Sequence, residues 1–230
     1  DMPTLQQRVG ERLARPDADT TRAPWVRVKG GMGDVDPRLP DAGATWSYAS
    51  RDLQVGIDSE EMVTNGGAWV IGATAQYGAT DADVFNAAAG GTVKGQTYGL
   101  GATATWYGTN GVYADFQGQA NHVSARFEGV TGDDLASRHG LQSYLLSTEI
   151  GWRKQMKDNS VLIPQAQMIW SALDGAAFAS TLGSQVDLGD NERLTGRIGL
   201  AWEHTRTDGG KYYMLGNLER NLNGQTAVEV

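Results

Sequence analysis

The stretch that decides the fold runs from Gln96 to Asn121 and reads QTYGLGATATWY, GTNG, VYADFQGQAN. Two segments of alternating residues flank a four-residue turn, which predicts a long β-hairpin. The apolar faces of its two arms hold Tyr98, Leu100, Ala102, Ala104 and Trp106, then Val112, Ala114, Phe116 and Ala120. The opposite faces are built from Gly, Thr, Gln and Asp. Arms of about ten residues with one apolar and one polar face are typical of transmembrane β-barrels.

The composition of the whole chain is compatible with such a barrel. The 230 residues have a formal net charge of -8 and include 31 Gly, 7 Trp, 8 Tyr and no Cys. A mean hydropathy of -0.39 and the absence of a run of ~18 apolar residues exclude a helical membrane protein. The missing cysteines exclude disulfide scaffolds, thiol catalysis and cysteine zinc sites. The acidic balance, without any basic stripe, argues against nucleic acid as a partner.

The first residues differ from the rest of the chain. Apolar residues recur at helical spacing up to Pro16, with basic residues on the other faces, which predicts one short helix followed by a polar linker. The residues assigned to this helix are Leu5, Arg8, Val9, Arg12, Leu13 and Arg15. We therefore divide the chain into residues 1–23, helix and linker, and residues 24–230, a β-barrel. The chain opens with no signal peptide, so we expect further sequence before it in the exported protein.

Alternating segments predict nine strands after Pro24. They are Trp25–Met32, Trp46–Asp58, Ala68–Ala79, Val93–Tyr107, Val112–Phe127, Gln142–Gln155, Val161–Leu173, Arg193–His204 and Lys211–Leu222. A tenth strand could begin at Thr226. Since single-chain bacterial barrels have an even number of strands, we expect the last strands of the barrel to be missing from this sequence.

The connections between these strands alternate in length. The long ones are Gly33–Ala44, Thr80–Thr92, Glu128–Leu141 and Asp174–Glu192, and the short ones are Gly108–Gly111, Met156–Ser160 and Thr205–Gly210. Ser59–Gly67 is intermediate. Long loops on one rim and short turns on the other are the pattern of outer-membrane barrels.

Period-two alternation assigns side chains to the two faces of the predicted sheet. The charges expected to face the lumen are Arg27, Asp58, Asp115, Glu149, Arg153, Arg197 and Glu203. The aromatics expected at the membrane interfaces are Trp69, Tyr77, Tyr98, Trp106, Tyr144, Trp152, Trp170 and Trp202. This pattern favours an outer-membrane barrel over a soluble all-β fold.

Several segments resemble one known family in the same order. After the short helix and linker come PWVRVKGG from Pro24, LQVGID from Leu53, GVYADF from Gly111, EIGWR from Glu149, IPQAQ from Ile163 and LTGRIGL from Leu194. Together they resemble the translocator domain of autotransporters over essentially the whole chain. The resemblance implies a twelve-stranded barrel, of which nine to ten strands are present here, with residues 1–16 as an α-helix in the pore. It also implies type V secretion of a passenger domain that lies before the helix.

The resemblance implies partners as well. They are outer-membrane lipid, the passenger domain and the outer-membrane barrel assembly machinery, which recognises the last strand in this family. If the final strands are missing, the edge at Lys211–Leu222 exposes unpaired backbone groups to lipid. We expect an assembly partner to cover that edge; alternatively, the remaining strands lie outside this sequence.

Chemical activity is not expected from this chain. In some autotransporters a pore-helix Asn cleaves the chain with help from acidic residues of the wall, and Asp115 and Glu149 resemble such acids. Residues 1–16 contain no Asn, so pairing of these acids with arginines of the helix or wall is the favoured interpretation. The three histidines, His122, His139 and His204, show no metal-ligand spacing, so neither a metal nor a cofactor is predicted.

Two functions remain open from the sequence. The favoured one is a non-enzymatic outer-membrane translocator that anchors and exports a passenger. The alternative is a passive outer-membrane pore or adhesin-like barrel whose long surface loops bind ligands. The helix predicted before the first strand favours the translocator, since a simple pore does not need it.

Overall fold

The computed structural model describes residues 2–9, 23–35, 45–85, 90–129, 134–157, 159–174, 176–179, 185–188, 191–206 and 210–223. Within them the chain forms one helical turn, α1 (Leu5–Val9), and thirteen strands. The strands are β1 (Ala23–Val35), β2 (Thr45–Asp58), β3 (Met62–Thr64), β4 (Gly67–Phe85), β5 (Gly90–Gly108), β6 (Val112–Gly129), β7 (Asp134–Trp152), β8 (Lys154–Gln155), β9 (Ser160–Leu173), β10 (Ala176–Ala179), β11 (Gln185–Leu188), β12 (Asn191–Thr205) and β13 (Lys211–Asn223). No helix in the described part of the chain is long and apolar enough to cross a membrane.

Eleven of the strands form a single antiparallel sheet. Its order is β1-β2-β4-β5-β6-β7-β9-β12-β13, with β3 paired to β4 and β8 paired to β9 beside this path. Each long strand therefore lies next to the long strands that precede and follow it in the chain. The short β10 and β11 form a separate hairpin. Among the described pairings β1 and β13 each have one neighbour, so they are the two edges of the curled sheet.

The predicted all-β antiparallel fold and its nine long strands are confirmed, but two predicted loops are mostly strand. β4 and β5 pair as far as Phe85 and Gly90, inside the predicted loop Thr80–Thr92. β6 and β7 pair to Glu128 and Asp134, inside the predicted loop Glu128–Leu141. Their polar residues look like loop sequence, yet the backbone ladder pairs them regardless of side chain.

Smaller corrections concern strand ends. The strand predicted to reach Gln155 ends at Trp152, and β8 pairs with β9 from the following turn. The predicted loop Ser59–Gly67 contains β3, and the predicted loop Asp174–Glu192 contains β10 and β11. The possible tenth strand at Thr226 lies outside the described residues.

Burial in the sheet is reversed relative to a water-soluble protein. Large apolar side chains lie on the exposed convex face; Val28 is 78% exposed and Leu100 is 71% exposed. The buried side chains of the concave face are mostly polar. They include Gln54, Asp58, Thr103, Thr105, Asp115, Gln117, Asn121, Ser147, Glu149, Gln165, Gln167, Thr195 and Arg197. An apolar exterior and a polar interior are the arrangement that a lipid environment demands of a sheet.

Aromatic side chains recur at two levels of the convex face. On three strands they lie eight residues apart: Trp69 and Tyr77 on β4, Tyr98 and Trp106 on β5, Tyr144 and Trp152 on β7. Trp69 pairs in register with Trp106 and Tyr77 with Tyr98, whose ring centroids are 5.2 Å apart. Eight residues of strand span ~26 Å. With the usual strand tilt of a barrel, this places the two levels ~20 Å apart along the membrane normal.

Candidate functional site: an N-terminal segment in the polar concave face

The N-terminal segment, residues 2–9, lies against the concave face of the sheet. Its local conformation follows from the sequence Thr4-Leu-Gln-Gln7. The Gln7 amide donates to Thr4 Oγ1 at 3.3 Å, while Gln7 Oε1 accepts from the Thr4 amide at 3.0 Å. This reciprocal pair is a capping box, which explains why the helical turn begins at Leu5. Met2, Thr4, Leu5 and Arg8 are all buried, so the segment is enclosed by the wall.

Arg8 forms the charged part of the contact between segment and wall. Its Nη2 lies 2.6 Å from Asp115 Oδ1 and donates to Thr105 Oγ1 at 2.8 Å. Its Nη1 donates to Thr103 Oγ1 at 3.3 Å and lies 3.6 Å from Asp58 Oδ1. The Arg8 and Asp115 side chains are only 1% and 0% exposed, so each charge depends on the other for compensation.

Glu149 binds the backbone of the segment. Its two carboxylate oxygens accept from the Leu5 amide at 3.3 and 3.2 Å. The Tyr113 hydroxyl donates to Glu149 Oε1 at 2.7 Å and holds the carboxylate in place. The Tyr113 ring lies across Gly151, where a Cβ would come within 2.4 Å of the ring, so a glycine is required there. The Leu5 side chain packs against Tyr113, Ile163 and Ala201.

Two carbonyl groups before the helical turn are bound by the wall as well. The Pro3 carbonyl accepts from Gln117 Nε2 at 2.9 Å and from Gln167 Nε2 at 3.1 Å. The Met2 carbonyl accepts from Arg197 Nη1 at 3.1 Å. These bonds go to main-chain atoms and do not involve the side chains of residues 2 and 3.

At the next level of the wall, Gln6 Nε2 donates to Glu203 Oε1. Glu203 also receives two bonds from Arg153, of 2.6 and 3.2 Å, which tie the turn after β7 to β12. The segment therefore has contacts with strands from β2 to β12, which lie on opposite sides of the concavity.

Strand register brings the binding residues into one row. Directly paired residues run across six neighbouring strands from β5 to β13: Thr105, Asp115, Glu149, Gln167, Arg197 and Glu219. Directly opposed residues of antiparallel strands share a face, so the row forms a continuous polar band across the concave wall. Gln117 lies two residues along β6 from Asp115, on the same face.

The structure brings most of the predicted charges together. Asp58 and Asp115 surround Arg8, Glu149 contacts Leu5, Arg197 contacts Met2, and Arg153 pairs with Glu203. Arg27 is half-buried on β1, and the described contacts of the segment do not include it.

The predicted helix over residues 1–16 is described only as the turn Leu5–Val9. Arg12, Leu13 and Arg15 lie outside the described residues, so their positions stay predictions. Arg8 was predicted on a face away from Leu5, but both side chains are buried, because the wall offers an acidic partner to one and an apolar pocket to the other.

Sequence reasoning missed the uncharged members of the site. Thr103, Thr105, Gln117 and Gln167 each contact the segment. Alternation in the sequence assigns each of them to the same face of the sheet as Asp115 or Glu149. Many other polar residues of the strands are assigned to that face as well. Only the register between strands distinguishes them.

An antiparallel sheet with an apolar convex face, a polar concave face and a buried N-terminal segment defines the class of outer-membrane β-barrel proteins. The sequence model of the autotransporter beta-domain matches residues 24–229. The chain therefore belongs to the autotransporter β-domain family, and it is a translocator domain of the bacterial outer membrane.

Individual relatives agree with this assignment. The chain is 29% identical over 248 residues to the adhesin BmaC autotransporter of Brucella suis biovar 1 (strain 1330), covering 99% of this chain and 7% of that protein. The chain thus spans a small part of the length of this curated relative.

Two solved structures share the fold. The β domain of the Bordetella autotransporter BrkA has a TM-score of 0.65 at 21% identity, covering 89% of this chain and 82% of that one. The transport unit of AIDA-I from Escherichia coli has a TM-score of 0.70 at 17% identity, covering 94% of this chain and 76% of that one.

Proposed function

We propose that this chain anchors and exports a passenger polypeptide that precedes residue 1. In this proposal residues 2–9 are the end of the exported chain, retained in the conduit after export. The observation that supports this most is the burial of the segment against the concave face, where the Met2 carbonyl accepts from Arg197 and Arg8 donates to Asp115. A passive pore gains nothing from a segment held in this position.

The proposal assigns roles to the predicted site residues. Residues 1–23 are the pore helix and its linker, with Leu5, Arg8, Val9, Arg12, Leu13 and Arg15 forming the plug, and residues 24–230 are the barrel. The charges Arg27, Asp58, Asp115, Glu149, Arg153, Arg197 and Glu203 face the lumen, and all of them except Arg27 bind this plug or each other. Contacts of Arg8 with Asp58 and Asp115 support this role.

The aromatic levels are proposed to lie at the two membrane interfaces. Their separation of ~20 Å is close to the height of the apolar band in outer-membrane barrels, roughly 25 Å. The residues concerned are Trp69, Tyr77, Tyr98, Trp106, Tyr144, Trp152, Trp170 and Trp202. β4 and β5, at 19 residues each, are longer than the ~10 residues that a spanning strand needs. Their paired polar ends therefore extend beyond the lipid.

We propose that the domain itself is not an enzyme. The acids that resemble a cleavage site already have partners in the segment and the wall: Asp115 binds Arg8, and Glu149 binds the Leu5 amide and Tyr113. These contacts support a docking role for both carboxylates. Any activity of the exported protein then resides in its passenger.

We also propose the outer-membrane assembly machinery as a partner at the sheet edges. β1 and β13 each have one neighbour among the described pairings, and an unpaired backbone edge is unfavourable in lipid. A cysteine at Leu218 of β13 should crosslink to a strand of that machinery during assembly. The control is a cysteine at Ile71, on the central β4. If cysteines at Leu218 and Ile71 are labelled equally and neither forms a protein crosslink, the assembly machinery is not a partner at this edge.

A reporter fused before Asp1, behind a signal peptide, tests the main proposal. On intact cells we expect added protease to digest the reporter when it is carried by the full-length protein that contains residues 1–230. The matched control lacks residues 24–230, and its reporter should stay protected in the periplasm. Protection of the reporter while the barrel is correctly assembled would favour the passive pore instead.

A further inference from the structure

We propose that Gln117, Glu149, Gln167 and Arg197 form a collar that binds the main chain of any extended polypeptide in the conduit. This inference rests on the proposed export function and names what the conduit recognises. The collar ligand is the peptide backbone itself, namely two consecutive carbonyl groups and one amide N–H.

The described contacts between the collar and the segment go to backbone atoms of the segment. Gln117 and Gln167 donate to the Pro3 carbonyl, Arg197 donates to the Met2 carbonyl, and Glu149 accepts from the Leu5 amide. Every residue offers a carbonyl, and every residue except proline offers an N–H. A site that uses only these groups is indifferent to the sequence of the bound chain.

Each collar side chain is held in position by a second partner in the wall. The Gln117 amide also donates to Asp115 Oδ2 at 2.8 Å, and the Gln167 amide also donates to Ser147 Oγ at 2.8 Å. Arg197 donates to Gln167 Oε1 at 2.8 Å and to Glu219 Oε2 at 2.8 Å.

Glu149 is held in the same way by the Tyr113 hydroxyl. The groups that face the polypeptide are therefore oriented by the wall, and little side-chain entropy remains to be lost when a chain binds.

The four side chains come from four different strands, β6, β7, β9 and β12, so the collar extends across the concave wall. An unfolded chain that enters this space loses water from its backbone, which is costly unless each polar group finds a new partner. The collar supplies such partners. The contacts of Arg8 and Leu5 are of a different kind from those of the collar. They are made by side chains of the segment, which bind specific groups of the wall and retain the final segment.

The first test measures how firmly the segment is held. The chain has no cysteine, so Met2→Cys introduces a single buried thiol and leaves the cap at Thr4 intact. Replacing Gln117 and Gln167 with Leu removes both donors at similar volume. We expect maleimide labelling of assembled protein in outer membranes to accelerate roughly tenfold, the effect of losing two hydrogen bonds.

The matched control replaces Gln54 and Gln119 with Leu. Both are concave-face glutamines, and the described contacts of the segment include neither. This control should label within about twofold of the parent Met2→Cys protein, against the roughly tenfold effect of the collar pair. Equal rates for the collar pair and the control pair would overturn the collar.

The second test measures sequence independence during export. Two unfolded reporters are fused before Asp1, one rich in Ser and Gly and one rich in Lys and Glu. The Gln117→Leu, Gln167→Leu protein should expose both reporters more slowly by the same factor, roughly fivefold. A change for one reporter only, or for neither, would overturn backbone recognition.

The two tests separate failure of the collar from failure of the export proposal. If the unmodified barrel exposes neither reporter, the proposed function is wrong, while the labelling test still decides whether the collar binds the segment.

Discussion

Removing the Arg8 side chain is the sharpest perturbation of the docked segment. Arg8→Met keeps the length and apolar stem of the side chain but deletes its contacts with Asp115, Asp58, Thr103 and Thr105. Breaking a buried ion pair from one side leaves the other charge uncompensated, at a cost of about 3–5 kcal/mol. Since ~1.4 kcal/mol is a factor of ten, the docked-to-undocked ratio should fall by at least roughly a hundredfold.

Maleimide labelling of Met2→Cys in outer membranes measures this ratio. We expect Arg8→Met to raise the labelling rate by the same factor, up to the rate of a fully accessible thiol. Adding Asp115→Asn removes one uncompensated carboxylate and should recover about 0.5–3 kcal/mol, the coupling typical of residues in direct contact.

Two controls protect the interpretation. Arg8→Lys keeps the charge but loses the guanidinium fork, and it should give an intermediate rate. Heat-modifiability should show that every variant is assembled. If assembled Arg8→Met protein labels no faster than the parent, the ion pair does not hold the segment and the reasoning is wrong.

Two further predictions concern the barrel itself. Gly151→Ala places a Cβ 2.4 Å from the Tyr113 ring and should lower stability by about 1–3 kcal/mol in urea unfolding. Gly118→Ala, whose Cβ meets only Leu146 at 3.4 Å, is the near-neutral control, and equal effects would contradict the packing argument. Ala73→Arg, midway between Trp69 and Tyr77, should cost about 2–4 kcal/mol in lipid bilayers, against about 0–1 for Ala79→Arg, which lies beyond Tyr77 on the same strand. Similar costs at the two positions would mean that the band between the levels does not face hydrocarbon.

Much of the fold could be predicted because a membrane strand must alternate strictly between lipid and lumen. This requirement made the nine long strands visible as period-two patterns, most clearly from Gln96 to Asn121. The requirement for alternation no longer applies where the strands leave the lipid. The paired end of β4 contains Asp81 and Asp83, which lie in a polar stretch and were predicted as loop.

The site could be predicted only in part. Charged residues are rare in the membrane strands, so Asp115 and Glu149 could be identified from the sequence as candidate site residues on the lumen face. Gln117 and Gln167 have no such signal, because a single strand contains no information about which residues of its neighbours lie opposite. The capping box at Thr4 and Gln7 was readable from the sequence and would have placed the start of the helical turn.

Time-resolved photocrosslinking from inside the conduit tests the central claim most directly. A photoreactive residue replaces Thr103, which contacts Arg8 in the final state, and a reporter is exported from a position before Asp1. We predict that crosslinks pass through successive positions of the reporter during a pulse-chase and end on residues 2–9. Crosslinks confined to residues 2–9 at every time point, with the reporter already outside the cell, would contradict export through this sheet.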